Sequence, residues 1–356
     1  MKRRNLACVM FVLALCGCSL PAAAKQQRTY RLALVFTLAF NPSHDQKEVR
    51  FGGLNDKGEV AMSEADNNQF RSFIWHEGEI REVGSSLLRG INDRTVVSGD
   101  IVAGGPAFFW RDGDVLLLQA LTGESLFTAT DVNNRRQAIV LYVAGQSSGH
   151  ALWHRGEIRR FDPPSGFTGV LPQRLNNRGD AVGSAFAGRN VPVVWEGDTM
   201  MQIDTPAGAD EAFGVDINDR RTVVAHASFP ARVGESFGHV TAYVWKQGEI
   251  TLLPALTSEQ QNSTAGGINN HGVVVGSSST NPGQTFRADA TIWRRGRAAD
   301  LNELIDAEDP LEPFVHLESA ERINNRGQIV AKGNDSRRPN NSESNSINYY
   351  LLTPER

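Results

Sequence analysis

Cysteine is scarce in this sequence and confined to one end. The three cysteines are Cys8, Cys16 and Cys18, and residues 19–356 contain none. Disulfide bonds, zinc–thiolate sites and cysteine nucleophiles are therefore excluded from that part of the chain. Its stability has to come from the burial of apolar side chains.

A basic surplus and a membrane-spanning run are lacking too. The chain has 36 Lys and Arg against 40 Asp and Glu, so it lacks the excess charge of a general nucleic-acid binder, and we expect no nucleic-acid partner. The longest apolar run, residues 6–20, is shorter than the ~20 residues that a membrane-spanning helix needs. No nucleophile elbow, phosphate-binding glycine loop or dinucleotide fingerprint occurs. We therefore predict no catalytic residue and no cofactor.

The first 24 residues have the layout of a secretory signal. Three basic residues at positions 2–4 precede the apolar run, and three alanines at positions 22–24 suit a signal peptidase. We predict a signal peptide over residues 1–24 and an extracytoplasmic protein, secreted or periplasmic, over residues 25–356. Without the leader the chain has 33 basic and 40 acidic residues, a net charge of −7. Residues 15–18 also resemble a bacterial lipobox, so lipidation at Cys18, which would attach the chain to a membrane, stays an alternative.

One short phrase recurs seven times along the predicted mature chain. It consists of an aliphatic residue, Asn, Asp or Asn, a mostly basic residue, often Gly, and an apolar run. Its first asparagines are Asn55, Asn92, Asn133, Asn176, Asn218, Asn269 and Asn324, at intervals of 37, 41, 43, 42, 51 and 55 residues. A fixed internal period of this length is typical of repeat architectures.

A second phrase follows each of the first six copies and ends in a polar turn with Gly. It contains all six tryptophans of the protein, Trp75, Trp110, Trp153, Trp195, Trp245 and Trp293. One aromatic residue per unit at the same strand position favours a core position between neighbouring sheets over a sugar-binding platform. We therefore assign the tryptophans a structural role.

The pattern of each unit predicts four short strands, which we call a to d. Asn and Gly suit the a–b turn because both tolerate positive φ, and the Asn side chain can bond its own backbone. Four strands in about 45 residues are typical of a β-propeller blade. We predict an all-β fold, a propeller of about seven blades, each a four-stranded antiparallel sheet; a β-solenoid is the alternative. The seventh unit lacks strand d, and we expect the strand near residues 29–35 to pair with residues 349–352 and close the ring.

The repeat resembles the bacterial extracellular HAF repeats. The resemblance is carried by residues 323–330 (INNRGQIV), 150–153 (HALW), 300–305 (DLNELI) and 351–354 (LLTP), and covers about residues 29–354. It implies an extracytoplasmic repeat array and brings no catalytic residue with it. Thr95, Arg136 and Arg221 depart from the resemblance, because the family usually has Gly there, so we expect these three turns to be distorted or lengthened.

The predicted propeller has two different faces. The short a–b and c–d turns share one face, which we call the short-turn face, and the b–c and d–a loops share the other, the long-loop face. On the short-turn face the repeat places a circle of basic tips, which could attract an anionic polysaccharide or head group; exposed turn tips also tolerate any long polar residue. These candidate binding residues are Lys57, Arg94, Arg135, Arg178, Arg220, His271 and Arg326.

The long-loop face carries aromatic residues, and we expect it to be the contact surface, because ligand sites favour variable loops on a rigid scaffold. Its candidate binding residues are Phe167, Phe229, Phe237 and Phe286, with Phe161 and Phe314 in the same loops; these rings could instead fold inward. An acidic segment, residues 300–312, could hold calcium, although a solvated turn is the simpler interpretation and we predict no metal site. The sequence predicts a noncatalytic binding or scaffold module for a cell-surface protein or polysaccharide. A polysaccharide lyase or hydrolase with a central-channel site is the alternative.

Overall fold

Seven separate four-stranded antiparallel sheets make up the structure. The computed structural model describes residues 29–40, 47–66, 69–101, 105–231, 238–280, 288–338 and 345–355. Each of the first six sheets uses four consecutive strands, and in every one the sheet order follows the chain. The molecule is therefore a seven-bladed β-propeller, as the repeat predicted.

The blades are numbered along the chain. Blades 1 to 3 consist of β2 (Lys47–Leu54), β3 (Val60–Asp66), β4 (Gln69–His76), β5 (Glu79–Gly84); β6 (Leu87–Ile91), β7 (Val97–Asp100), β8 (Ala107–Arg111), β9 (Asp114–Leu117); and β10 (Ser125–Val132), β11 (Ala138–Ala144), β12 (Ser147–His154), β13 (Glu157–Arg160). Blades 4 to 6 consist of β14 (Gly169–Leu175), β15 (Ala181–Phe186), β16 (Asn190–Glu196), β17 (Thr199–Gln202); β18 (Glu211–Ile217), β19 (Val223–Phe229), β20 (His239–Lys246), β21 (Glu249–Leu253); and β22 (Asn262–Ile268), β23 (Val274–Ser279), β24 (Ala288–Arg294), β25 (Arg297–Asp300). Blade 7 consists of β26 (Val315–Ile323), β27 (Ile329–Asp335), β28 (Asn345–Pro354) and β1 (Tyr30–Phe40), and a 3-10 turn at Asn302–Leu304 precedes it.

Blade 7 is completed from the opposite end of the chain. Strand β1 pairs antiparallel with β28, with Leu32 opposite Leu352 and Tyr30 opposite Pro354. The predicted closing strand is therefore confirmed. Because the fourth strand of blade 7 comes from the N-terminal side, the last blade cannot separate from the first without breaking this pairing.

Every innermost strand carries a β-bulge just before its repeat phrase. The register shifts in all seven a–b pairs, two or three residues before the asparagine, as between Gly214 and Asp216 in blade 5. A bulge bends a strand and increases its twist. The ends of the seven inner strands therefore turn towards the axis and bring the seven asparagine turns together.

The core lies between neighbouring blades. All six tryptophans are buried, with at most 9% of each exposed. Trp153 of blade 3 packs edge-on against Phe109 of blade 2, with 5.4 Å between ring centroids, and its indole N–H donates to the carbonyl of Gln119 in the connection between these blades. Each tryptophan thus sits where one sheet faces the next.

Among the described residues, none of the helical segments has both the length and the apolar character needed to cross a membrane.

Candidate functional site

The first asparagine of each repeat phrase joins two neighbouring blades. Its Nδ2 donates a hydrogen bond of 2.8–3.1 Å to the backbone carbonyl oxygen of the equivalent asparagine in the next blade. The last of these bonds runs from Asn324 to Asn55, across 269 positions of sequence. Seven bonds therefore form a closed ring around the axis, and all seven asparagines are buried.

The same side chains also hold their own turns. Each Oδ1 accepts the backbone N–H groups two and four residues later, as Asn218 does from Arg220 and Thr222. The asparagines themselves do not have positive φ, so that part of the sequence-based explanation was wrong. An amide is needed because it offers a donor and an acceptor on one short side chain. Aspartate could hold the turn but could not donate to the next blade.

A second ring lies beside the first. The backbone N–H of each second residue of the phrase donates to Oδ1 of the equivalent residue in the next blade, over 2.7–2.9 Å. The seven residues are Asp56, Asp93, Asn134, Asn177, Asp219, Asn270 and Asn325. All four asparagine amides donate to the carboxylate of an adjacent aspartate. The three aspartates are placed so that every asparagine amide of this ring has a carboxylate acceptor in an adjacent blade.

The three turns without glycine keep the standard geometry. Thr95, Arg136 and Arg221 have φ of 58°, 59° and 58°, and each closes its turn with the same hydrogen bond, of 3.0 Å, that glycine forms in the other blades. The expectation of distorted or lengthened turns is therefore wrong. These residues adopt the left-handed backbone conformation that glycine adopts without steric strain.

A cavity of about 170 Å³ lies at the axis, bounded by the two rings and the ends of the inner strands. Its wall differs from blade to blade, because the residue after each bulge is Gly in three blades, Arg in two, and Asp in two, Asp131 and Asp216. Burial raises the pKa of both carboxyl groups, and that of Asp216 reaches about 6. Each carboxylate accepts one N–H from its own strand and one from the inner strand of the next blade, which for Asp216 are Ile217 and Ile268.

The seven candidate basic tips are all exposed on the short-turn face. These are Lys57, Arg94, Arg135, Arg178, Arg220, His271 and Arg326. Lys57 donates to the hydroxyl of Thr95, Arg135 donates to the carbonyl of Arg178, and Arg178 lies 3.7 Å from the carboxylate of Asp180. Within the part of the chain that the structure describes, the other four tips have no side-chain partner. The repeat thus presents six positive side chains and one histidine in a circle around the mouth of the axis.

The candidate aromatic residues of the long-loop face differ in exposure. Phe167 and Phe229 are half-buried, and Phe229 stacks on His239 with 4.8 Å between centroids. Phe161 is buried against Trp195, whereas Phe314 is exposed beneath the guanidinium of Arg337. Phe237 and Phe286 lie outside the described residues. The inward alternative holds for Phe161, and the half-buried pair presents only part of its surface.

The acidic segment before blade 7 holds the closing strand. The Asp309 carboxylate accepts the N–H of Leu32 at 2.7 Å, and the N–H of Asp306 donates to the carbonyl of Tyr30. Arg31 lies 3.6 Å from the Asp306 carboxylate. Two of the acidic residues are thus engaged by β1, and among the described residues no group of three or more potential ligands could hold a metal ion.

Comparison with solved structures gives the fold. The β-propeller domain of the trilobed protease from Pyrococcus furiosus, described as having an open velcro topology, matches with a TM-score of 0.51 and 11% identity over 85% of this chain and 93% of that chain. A gluconolactonase from Xanthomonas campestris matches with a TM-score of 0.37 and 10% identity, over 93% and 96%. A chain from the S. cerevisiae complex of dbp5 with nup159 and gle1 matches with 0.41 and 9%, over 92% and 96%.

At 11% identity the similarity to the protease propeller concerns the fold alone. No protein-family model matches the sequence, and no curated protein matches it significantly. The resemblance to HAF repeats therefore stays a prediction, while the seven-bladed all-β propeller, similar in fold to the protease propeller, is established.

Proposed function

We propose that this chain is an exported, noncatalytic β-propeller of the HAF-repeat type that binds an anionic partner of the cell surface, an acidic polysaccharide or an acidic protein, through its short-turn face. The observation that carries the proposal is the circle of seven exposed basic tips. The sequence-based preference for the long-loop face is set aside, because of its four described rings only Phe314 is exposed, and Arg337 lies over that ring.

The rings beneath the tips favour this role. Each tip directly follows a second-ring residue that is hydrogen-bonded to both neighbouring blades, as Asp219 is, and the N–H of the tip donates to the first asparagine of its own turn. A rigid array loses little conformational entropy when a partner binds. The predicted mature chain is acidic overall, with a net charge of −7, so the attraction has to act locally and should weaken with salt over the Debye length of about 10 Å at 0.1 M.

Binding of residues 25–356 to polygalacturonate, with dextran as the neutral polymer, tests the proposal. We expect binding to polygalacturonate alone, and at least about tenfold weaker binding when salt rises from 0.05 to 0.5 M. The double variant Arg94→Ala/Arg220→Ala should weaken binding about fivefold. The control is Arg71→Ala/Arg189→Ala, which removes two exposed arginines from the long-loop end. The proposal would be refuted if binding did not weaken as the salt concentration rises, or if both double variants weakened binding equally.

A polysaccharide lyase or hydrolase is the second candidate, and Asp216 is the observation that favours it. A carboxyl group with a pKa near 6 suits a general acid or base. Against this role, one of its oxygens accepts the N–H of Ile217 in its own strand and the other accepts the N–H of Ile268 in blade 6. We expect no release of reducing ends from polygalacturonate. Release that disappears in Asp216→Ala, with the fold retained by circular dichroism, would favour the enzyme instead.

A further inference from the structure

Two adjoining cavities, of 360 and 320 Å³, lie between blades 2 and 3 on the short-turn face. They share Phe109, Leu116 and Arg136 and form one groove, which we call the blade 2–3 groove. Their sizes are in the range of small-molecule sites, about 300–1,000 Å³. Phe109 and Trp153 form the apolar floor, and Leu116 stands beside them with 55% of its surface exposed.

The arginine that covers the equivalent surface at the junction of blades 1 and 2 is replaced by leucine here. Leu116 lies opposite Phe109 in the c–d pair of blade 2, and the equivalent residue in blade 1 is Arg81. The Arg81 guanidinium lies over the ring of Trp110 in the next blade, 5.3 Å from its centroid. Leucine has neither the length nor the charge for that contact, so at this junction Trp153 keeps 7% of its surface exposed, against 3% for Trp110.

Three exposed arginines without protein partners surround this apolar surface. Within the described residues, the guanidinium groups of Arg94, Arg136 and Arg155 form no ion pair or hydrogen bond. Two acidic residues, Asp112 and Asp114, line the opposite end, and Asp112 is already paired with Arg111 and Arg81. The groove thus combines an apolar floor with unneutralised positive charge.

The junction of blades 4 and 5 indicates what these arginines lack. Arg221 occupies the position of Arg136, and its guanidinium binds the carboxylates of Asp180 at 2.9 Å and Glu196 at 2.7 Å. The residues that correspond to this acidic pair at the blade 2–3 groove are Val96 and Arg111. A carboxylate supplied by the protein in one junction is therefore missing in the other.

We infer that the blade 2–3 groove binds a small aryl or acyl carboxylate. The apolar part of the ligand would cover Phe109, Leu116 and Trp153, and its carboxylate would occupy the place that Asp180 and Glu196 take beside Arg221. Arginine suits this role because its planar fork can bind both carboxylate oxygens. This ligand binding is independent of the proposed polymer binding. Of the residues that line the groove, only Arg94 is changed in the polygalacturonate test.

Calorimetric titration with 4-phenylbutyrate, compared with the neutral 4-phenylbutyramide, tests the inference on residues 25–356. We expect the amide to bind at least about tenfold more weakly, the effect of one charge-assisted contact. Arg136→Gly should weaken binding of the acid by a similar factor. Leu116→Arg should abolish it, because this change restores the side chain with which blade 1 covers the same surface.

The control is Met201→Arg, which adds the same charge at the equivalent position of blade 4. If simple charge attraction were responsible, both added arginines would strengthen binding equally, and that result would overturn the inference. Equal binding of acid and amide, or no binding of the acid at 10 mM, about the weakest affinity of interest for a fragment, would do the same. Should Leu116→Arg fail to fold, the Arg136→Gly titration decides alone. Polygalacturonate binding, measured on the same variants, should survive Leu116→Arg, so failure of one proposal is distinguishable from failure of the other.

Discussion

Two arginines at the same position of the repeat have opposite surroundings. Arg221 and Arg136 both have φ near 58°, and both stand at a blade junction on the short-turn face. Arg221 binds the Asp180 carboxylate through two nitrogens, whereas Arg136 has no partner among the described residues. A left-handed backbone costs a non-glycine residue about 1–2 kcal/mol. At the junction of blades 4 and 5 the ion pairs offset that cost, and at the junction of blades 2 and 3 no protein contact does.

At two of the three turns without glycine, a carboxylate of the preceding blade binds the residue in the left-handed position. Thr95, the third non-glycine residue, donates to the carboxylate of Glu59 in blade 1 at 2.6 Å. A Cβ on Gly58 would come within 2.9 Å of the flexible end of Gln328 in blade 7, and the φ of 86° itself favours glycine at this position. Arg136 follows Val96, which offers neither an acceptor nor an obstacle. Nothing in the fold explains its presence, and the carboxylate ligand proposed for the blade 2–3 groove would supply the missing partner.

The two junctions should have equally strong cores. Trp153 and Trp245 are both buried, and both donate their indole N–H to the preceding d–a connection. We expect Trp153→Ala and Trp245→Ala each to lower the free energy of unfolding by about 3–5 kcal/mol, because each leaves a large cavity. Chemical denaturation measures the effect. If Trp153→Ala lowered the free energy of unfolding by more than about 1 kcal/mol less than Trp245→Ala does, the groove would extend into the core, and the two junctions would not have equivalent cores.

Removing Arg221, at the junction of blades 4 and 5, should lower the free energy of unfolding. Arg221→Gly relieves the left-handed backbone but leaves the buried carboxylate of Asp180 with one partner fewer. An unsatisfied buried acceptor costs about 1–3 kcal/mol, and the exposure of Arg221 reduces the part due to charge. We expect a net loss of about 1 kcal/mol at pH 7. Arg220→Ala, at the neighbouring exposed tip, is the control and should have almost no effect; an equal loss in both variants would assign the cost to the turn rather than to the ion pair.

The blade architecture could be read from the sequence because its signals are local and repeated. One asparagine phrase and one tryptophan phrase per unit, with a spare strand at the start, were sufficient to predict seven blades and the pairing of β1 with β28. The first asparagine also carried a signal that was missed. The first position is Asn in all seven copies, whereas the second position is Asp in three copies and Asn in four. That difference indicates a side chain that must both donate and accept, which the blade-to-blade ring requires.

The candidate groove could not be predicted from the sequence, because its residues become equivalent only after the blades are placed side by side. Arg221 and Asp180 are 41 positions apart, and no local pattern pairs them. In the sequence Arg136 is only a departure from a glycine turn, and nothing local distinguishes Leu116 from other strand residues. Both residues can be interpreted only by comparison with Arg221 and Arg81, which occupy the equivalent positions in other blades.

Removing Arg136, at the junction of blades 2 and 3, should raise the free energy of unfolding, whereas removing Arg221 should lower it. Arg136→Gly gives the left-handed position the residue that adopts it without strain, and no partner among the described residues is lost. We expect the free energy of unfolding to rise by about 0.5–1 kcal/mol. Arg135→Ala, one residue earlier, is the control and should leave stability unchanged within about 0.5 kcal/mol. A loss of stability in Arg136→Gly would mean that Arg136 already contributes to the fold, and the junctions would not differ as described.

The smallest expected effect separates the two junctions by pH. Burial raises the pKa of Asp180, but hydrogen bonds from Arg221 and Asn176 more than offset this and lower it below its ordinary value. Because the folded-state pKa lies below that of the unfolded chain, the contribution of Asp180 is present above the unfolded pKa, about 3.9, and is lost as pH falls through the folded value. The cost of Arg221→Gly should therefore shrink when denaturation is repeated between pH 5 and pH 3. The gain from Arg136→Gly involves no carboxylate and should stay constant over the same range. Parallel pH dependence in the two variants would show that Asp180 does not distinguish the junctions.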